Sequence, residues 1–144
     1  MRIYLDNCTF NRPFDDQSQL KIKLETEAIL FIQQGIIIGF YELVWSYILE
    51  YENNQNYNDV RRSAIFIWKN IAEVHCVESD DIIEYAENLK KIYNIRAKDA
   101  LHIACGVFTG SDYLITTDKQ LYNLELDDIR IINPLAFISE VEDY

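Results

Sequence analysis

Apolar residues along this chain recur with two spacings, one typical of strands and the other of helices. A short apolar run at about residues 2–5 predicts a strand, and a polar loop follows it. A helix is predicted next, since apolar residues then recur near helical spacing at Leu20, Leu24, Ile29 and Ile32. Gly35 is its expected end, a β-rich run covers 36–44, and Ser46 is the expected N-cap of another helix.

Strands and helices continue to alternate through the second half of the chain. The predicted helices are 57–72, 79–93 and 97–108, and the predicted strands are 74–77, 112–117 and 129–132. In the helix at 79–93, Ser79 or Asp80 is the expected N-cap, and early acids with late lysines match the helix dipole. The alternation predicts an α/β fold, a three-layer α/β/α sandwich with a central, mainly parallel sheet.

Length and composition favour a single domain over residues 1–144. The hydrophobic fraction of 49% is enough for a core, and four glycines with two prolines leave little room for long linkers. No apolar run approaches membrane-spanning length, and the N-terminus lacks the features of a secretory signal. Cys8, Cys76 and Cys105 lack metal-ligand spacing, so reduced thiols in a cytoplasmic protein with no membrane partner are expected.

The net charge of −11 narrows the range of partners. It argues against a broad basic surface for duplex nucleic acid, and it suits cationic partners. A nuclease is not excluded, because divalent metal ions can offset a cluster of carboxylates. Five basic residues could contact phosphates, although surface solubility is the simpler interpretation of each: Arg12, Arg61, Arg62, Lys98 and Lys119.

Several acidic residues lie beside or within apolar segments, where a carboxylate is unfavourable unless it has a function or a partner. Asp6 and Asp118 each follow an apolar strand directly, where a buried charge is unfavourable unless a cation lies opposite. Since ligand sites of parallel sheets form at the carboxyl ends of strands, both acids are expected at that edge. Asp99 lies early in the helix at 97–108 among small apolar residues, where the helix dipole tolerates a negative charge.

A further inward acid is expected on the helix that follows the β-rich run. Trp45, Ile48 and Leu49 are expected to share one face, and Glu52 lies three or four residues beyond the last two. Glu50 instead groups with polar residues, namely Ser46, Tyr47, Asn53 and Asn54. Glu50 remains the alternative to Glu52, because a helix boundary can be misread by a residue or two.

The acids Asp6, Glu52, Asp99 and Asp118 thus come from separate elements and could meet at one edge of the sheet. Clustered carboxylates repel one another and favour protonation unless a cation is present. Hard oxygen ligands of this kind suit Mg²⁺ or Mn²⁺. Two such ions about 3.5–4 Å apart could activate water and stabilise the leaving oxygen during phosphodiester cleavage.

The same residues carry a resemblance to a known family. The chain resembles a PIN domain, the nuclease fold of VapC-type toxins, in "IYLDNC", in Ser46 with Glu52 six residues later, in "KDALHIA" and in "LITTD". The motifs occur in the family's order and extend over nearly the whole chain. The resemblance implies a metal-dependent ribonuclease that cleaves single-stranded RNA and acts as a toxin held in check by a cognate antitoxin protein.

The resemblance also implies roles for particular residues. Asp6, Glu52, Asp99 and Asp118 would be the catalytic acids and would hold Mg²⁺ or Mn²⁺. Supporting roles fall to three polar residues: Asn7 and Thr117 would lie beside the metal, and Ser46 could orient the second acid.

Each acid, taken alone, also has a purely structural interpretation. Asp6 could cap a turn, Glu52 could be solvated at a helix end, and Asp118 could be a helix N-cap. Asp99 could form a local hydrogen-bonded pair with His102 one turn later. Both histidines fit core or surface positions better than metal ligation, and the cysteines are expected to fill core space.

Two other functions compete with the nuclease hypothesis. A phosphohydrolase could use Asp6 as its nucleophile, but that chemistry typically needs a second acid at the position of Cys8. A non-catalytic α/β interaction module would fit the acidic charge. Whatever the function, exposed aromatic and apolar residues on the first helices would make a homodimer possible.

Overall fold

A central parallel sheet organises the molecule in a computed structural model that describes residues 1–142. Within these residues the strands are β1 (Arg2–Leu5), β2 (Glu42–Ser46), β3 (Val74–Cys76), β4 (Tyr113–Ile115) and β5 (Arg130–Ile132). Their order across the sheet is β3-β2-β1-β4-β5, and every neighbouring pair is parallel. The first strand of the chain therefore occupies the middle of the sheet, where the carboxyl ends of its neighbours surround its own.

Helices connect successive strands, as parallel pairing requires. Before β2 they are α1 (Asn7–Asn11), a 3₁₀ turn (Arg12–Phe14) and α2 (Leu20–Ile37). Between β2 and β3 they are α3 (Tyr47–Asn54), α4 (Asp59–Phe66) and α5 (Trp68–Ile71). Then follow α6 (Asp80–Tyr93) and α7 (Ala97–Phe108), α8 (Lys119–Tyr122) after β4, and α9 (Pro134–Glu142) after β5. No helix among the described residues is long and apolar enough to cross a membrane.

The sheet is buried on both faces. Tyr4, Val44 and Leu114 point to one side, where they pack in a cluster with residues of α6 and α7. Ile3 and Ile115 point to the other side, where residues of α2 and α9 join the cluster. Side chains of a strand alternate between faces, so each strand of a sandwiched sheet must be apolar throughout. This confirms the predicted three-layer α/β/α sandwich.

The predicted end of the first long helix is wrong. α2 continues through Gly35 to Ile37, and β2 begins only at Glu42, so the run at 36–44 is a strand only in its last part. The chain turns at Gly39, whose φ of +89° is the left-handed conformation that glycine adopts readily. Gly35 has a packing role instead, because a Cβ there would lie 2.6 Å from the Tyr41 ring.

Several local predictions are correct and others need adjustment. Ser46 and Ser79 cap α3 and α6 with side-chain oxygens that accept hydrogen bonds from backbone N–H groups. The helix predicted at 57–72 begins later and divides into α4 and α5. Trp45 belongs to β2 rather than to the helix after it, and Asn53, assigned to a polar face, is fully buried and donates to the Arg62 carbonyl.

Candidate active site

The four predicted acids line one cavity at the carboxyl edge of the sheet. Asp6 follows β1, and Asp118 is the N-cap of α8 after β4. Glu52 lies on α3, and Asp99 lies in the first turn of α7. The cavity has a volume of about 100 Å³, and its lining is Asp6, Asn7, Cys8, Glu52, Arg96, Asp99, His102 and Asp118. The fold thus brings together carboxylates that are up to 112 residues apart in the sequence.

Asp6 is the most buried of these acids, with 4% of its surface exposed. One carboxylate oxygen accepts hydrogen bonds from the Thr9 backbone N–H (3.2 Å) and hydroxyl (2.8 Å), and from the Cys8 thiol (3.1 Å). The other accepts from the Thr116 hydroxyl at 2.7 Å. Asp6 therefore caps α1, as its structural interpretation predicted, and at the same time has a fixed orientation at the cavity.

Glu52 is held by a histidine that sequence reasoning did not place in the site. The Nε2 atom of His102, buried on α7, contacts a Glu52 carboxylate oxygen. The Tyr4 hydroxyl lies 2.6 Å from both His102 Nδ1 and Ser46 Oγ. These contacts form a buried chain of side chains from Ser46 through Tyr4 and His102 to Glu52.

The hydrogen-bonding capacity of each group gives this chain a direction. An ionised carboxylate only accepts, so His102 Nε2 donates to Glu52, and in a neutral imidazole Nδ1 then accepts from Tyr4. Tyr4 keeps its proton because burial raises its pKa well above the usual range. The Tyr4 oxygen can then accept from Ser46, whose own oxygen accepts from the Leu49 backbone N–H at 3.2 Å. Ser46 thus reaches the second acid indirectly.

Glu50 lies outside the cavity. Its carboxylate pairs with Lys69 at 2.7 Å and accepts from the Trp45 indole N–H at 3.2 Å. The hydrogen bond from Lys69 lowers the pKa of Glu50 most, and the hydrogen bond from Trp45 lowers it further. Of the two glutamates considered, Glu52 is the one that lines the cavity with the aspartates.

Arg96 forms ion pairs with the other two acids, Asp99 and Asp118. Its guanidinium lies 3.0 Å from Asp99 and 3.2 Å from Asp118, while 75% of its side chain stays exposed. Burial raises the pKa of Asp99, Arg96 opposes that effect, and the charge of Asp118 adds to it. Asp118 also accepts from the Gln120 backbone N–H at 2.9 Å, as a helix N-cap does. The predicted local pair of Asp99 with His102 is replaced by the pair with Arg96.

The supporting residues occupy different positions. Asn7 lines the cavity beside Asp6, and Thr117 is buried next to Cys8. Cys8, expected to fill core space, lies at the cavity instead, and burial together with Asp6 raises the pKa of its thiol to about 12. At neutral pH this sulfur is therefore a protonated hydrogen-bond donor and a poor nucleophile.

The donor set suits Mg²⁺ or Mn²⁺ in kind, since it consists of hard carboxylate oxygens. In this arrangement, however, protein groups already engage each carboxylate, and no group of three or more His, Cys, Asp or Glu in residues 1–142 is spaced to hold a metal ion. Arg96 supplies a cationic partner for two of the acids, Asp99 and Asp118. Its exposed side chain would have to move away for Asp99 and Asp118 to share an ion.

Comparison with known proteins supports the fold assignment. No family model matches the chain, and no curated protein matches it by sequence. Among solved structures it is similar to a chain of the crystal structure of VapBC2 from Rickettsia felis bound to a DNA fragment from their promoter. The TM-score is 0.58 at 12% identity, and the match covers 92% of this chain and 98% of that one. At this identity the likeness shows the fold alone, a PIN-like α/β sandwich.

Proposed function

We propose that this chain is a Mg²⁺- or Mn²⁺-dependent endoribonuclease that cleaves phosphodiester bonds of single-stranded RNA. The observation that carries the proposal is the convergence of Asp6, Glu52, Asp99 and Asp118 on one cavity at the carboxyl edge of a PIN-like sheet. These acids reach it from separate elements, so a purely local capping role for each would not explain why they meet.

In the proposed mechanism the chain positions its acids before substrate arrives. A divalent ion held by the four carboxylates would supply positive charge to the phosphate and activate water for attack on phosphorus. Thr9 and Thr116 fix Asp6, and the His102 chain fixes Glu52, so neither acid has to reorient. Arg96, once released from Asp99 and Asp118, is exposed at the rim where the phosphate would lie.

The proposal extends to partners. A cognate antitoxin with a cationic segment would suit a chain of net charge −11, and the likeness to a VapBC2 structure supports such a partner. Apolar side chains exposed on α2 offer a surface for the antitoxin or for a homodimer: Leu20, Leu24, Leu30, Phe31 and Ile37. We propose a cytoplasmic location, which fits the free state of the three cysteines.

The test compares an Asp→Asn substitution in the candidate active site with the same substitution at an exposed position elsewhere. Wild-type protein should cleave labelled single-stranded RNA with Mn²⁺ and stop when EDTA removes the ion. Asp99→Asn should lower the cleavage rate by more than about 100-fold, since residues behind metal ligands already contribute about 10–100-fold. Asp81→Asn, an exposed position on α6, should cleave as wild type does. Normal cleavage by a folded Asp99→Asn protein would contradict the proposal.

One observation favours a second candidate, a non-catalytic interaction module. Arg96 already pairs with both Asp99 and Asp118, so a PIN-like fold could keep these two acids close together without a metal ion. Calorimetric titration with Mn²⁺ separates the two functions. The nuclease should bind the ion and lose binding in Asp99→Asn, whereas the interaction module should take up no ion at this cavity.

A further inference from the structure

A second, larger cavity opens directly beside the cavity lined by the four acids, which we call the acid cavity. Its volume is about 330 Å³, and it shares Asn7, Cys8 and Glu52 with the acid cavity. The rest of its lining consists of Asn11, Arg12, Asp15, Gln55, Asn56 and Tyr57. We call this region the amide groove, because four carboxamide side chains contribute to its wall. A nucleotide chain whose phosphate enters the acid cavity can reach this groove across the shared wall.

Arg12 and Asp15, two charged residues of the amide groove, already have partners of opposite charge. Arg12 lies 3.2 Å from Asp15 and 3.4 Å from the buried Glu25. Arg61, next to the groove, donates to the Phe14 carbonyl at 2.7 Å and lies 3.5 Å from Asp15. Because these arginines are already neutralised, the groove suits an uncharged polar ligand better than a phosphate.

Hydrogen bonds hold part of the amide wall in place. Asn56 donates its amide to Asn11 Oδ1 at 3.2 Å, and Asn11 donates to Asn7 Oδ1 at 3.0 Å. Within the described residues, the Asn7 amide nitrogen and the Gln55 side chain make no hydrogen bond, so they can pair with a ligand. A carboxamide offers a donor beside an acceptor, which matches the edge of a nucleobase.

An aromatic ring stands at the same groove. Tyr57 is 96% exposed, although it belongs to a residue type that usually buries most of its ring. Aromatic side chains beside single-stranded nucleic acid typically stack on unpaired bases. The groove therefore combines a stacking surface with amides able to read a base edge, next to acids suited to phosphate chemistry.

We propose that the amide groove binds one unpaired nucleobase of the RNA, on a nucleotide adjacent to the phosphate cleaved in the acid cavity. Tyr57 stacks on this base, and Asn7 and Gln55 donate to or accept from its edge. The inference rests on the proposed ribonuclease function and adds to it a base-binding subsite that selects single strands, since a paired base would have its edge occupied.

The experiment removes one base of the RNA at a time. Single-stranded RNAs with an abasic nucleotide at successive positions are cleaved with Mn²⁺ by wild type, Tyr57→Ala and Gln55→Ala. One abasic position next to the cut should lower wild-type kcat/KM by about 10-fold, as loss of one stacked base does. Tyr57→Ala should lose a similar factor on intact RNA and become insensitive to that abasic position. Gln55→Ala should lose less and keep part of the sensitivity.

Matched controls carry the same chemical change away from the groove. Phe40→Ala removes an aromatic ring that is 72% exposed near the opposite edge of the sheet, and Gln34→Ala removes an exposed amide from α2. Both should keep wild-type kcat/KM and abasic sensitivity. If Tyr57→Ala cleaves RNA with the wild-type dependence on every base, the subsite is wrong and the ribonuclease proposal stands. If wild type cleaves none of the RNAs, the ribonuclease proposal fails and the subsite fails with it.

Discussion

At the scale of single residues, the site depends partly on side chains that do not line the cavity themselves. Tyr4 and Ser46 are buried behind His102, and their hydroxyls complete the hydrogen-bonded chain that holds its imidazole against Glu52. From the sequence, His102 was assigned to a core or surface position or to a local pair with Asp99, since spacing along a helix reveals only neighbours on that helix. Its contact with Glu52 joins α7 to α3 and follows from tertiary packing, which one sequence does not display.

Replacing His102 should separate positioning from folding. His102→Ala should weaken Mn²⁺ binding by about 10–100-fold, because Glu52 loses the donor that orients it. It should also lower the free energy of unfolding by about 1–3 kcal/mol, since the Tyr4 hydroxyl loses a buried partner. Calorimetric titration with Mn²⁺ and urea denaturation measure the two effects.

The conservative variant provides the control. His102→Gln keeps an amide donor for Glu52 and should recover part of the Mn²⁺ affinity even where the unfolding free energy stays low. Equal Mn²⁺ affinity in wild type and His102→Ala would mean that Glu52 needs no positioning or binds no ion.

At the scale of elements, the prediction was most accurate where sequence signals are local. α7 spans the predicted residues 97–108, Ser46 is the predicted cap of α3, and Ser79 is one of the two caps predicted for α6. These predictions succeed because periodicity and capping act within a few residues. The predicted end of α2 at Gly35 was wrong, because a glycine can be required either for chain reversal or for close packing. Gly35 serves packing against Tyr41, and only the tertiary structure distinguishes the two uses.

A substitution at Gly35 tests that distinction. In an ordinary helix interior, Gly→Ala stabilises by roughly 1 kcal/mol through helix propensity. Here Gly35→Ala should destabilise by about 1–3 kcal/mol, because the new methyl group would overlap the Tyr41 ring. Urea denaturation measures the change. In a Tyr41→Ala background, where the ring is absent, the same substitution should become neutral or stabilising. A stabilised Gly35→Ala single variant would contradict the packing role.

At the scale of the whole molecule, the fold topology gathers part of the chain's negative charge at one edge of the sheet. The chain carries a net charge of −11, and its central strand delivers Asp6 to the point where Glu52, Asp99 and Asp118 converge. The convergence could be anticipated, since parallel strands end at a common edge. The guanidinium of Arg96 between two of the acids could not, because its role depends on a side-chain conformation rather than on a position in the sheet.

Arg96 should therefore compete with the divalent ion. Arg96→Gln removes the protein's own cation from Asp99 and Asp118, so Mn²⁺ should bind about 2- to 10-fold more tightly, the modest range expected when exposed ion pairs are lost. In thermal denaturation, added Mn²⁺ should raise the Tm of the variant more than that of wild type, because an ion bound only to the folded state stabilises it. Arg130→Gln, which removes an exposed arginine from β5, should respond as wild type does. Weaker Mn²⁺ binding in Arg96→Gln would show instead that the guanidinium organises the carboxylates for the ion, since a competitor's loss can only strengthen binding.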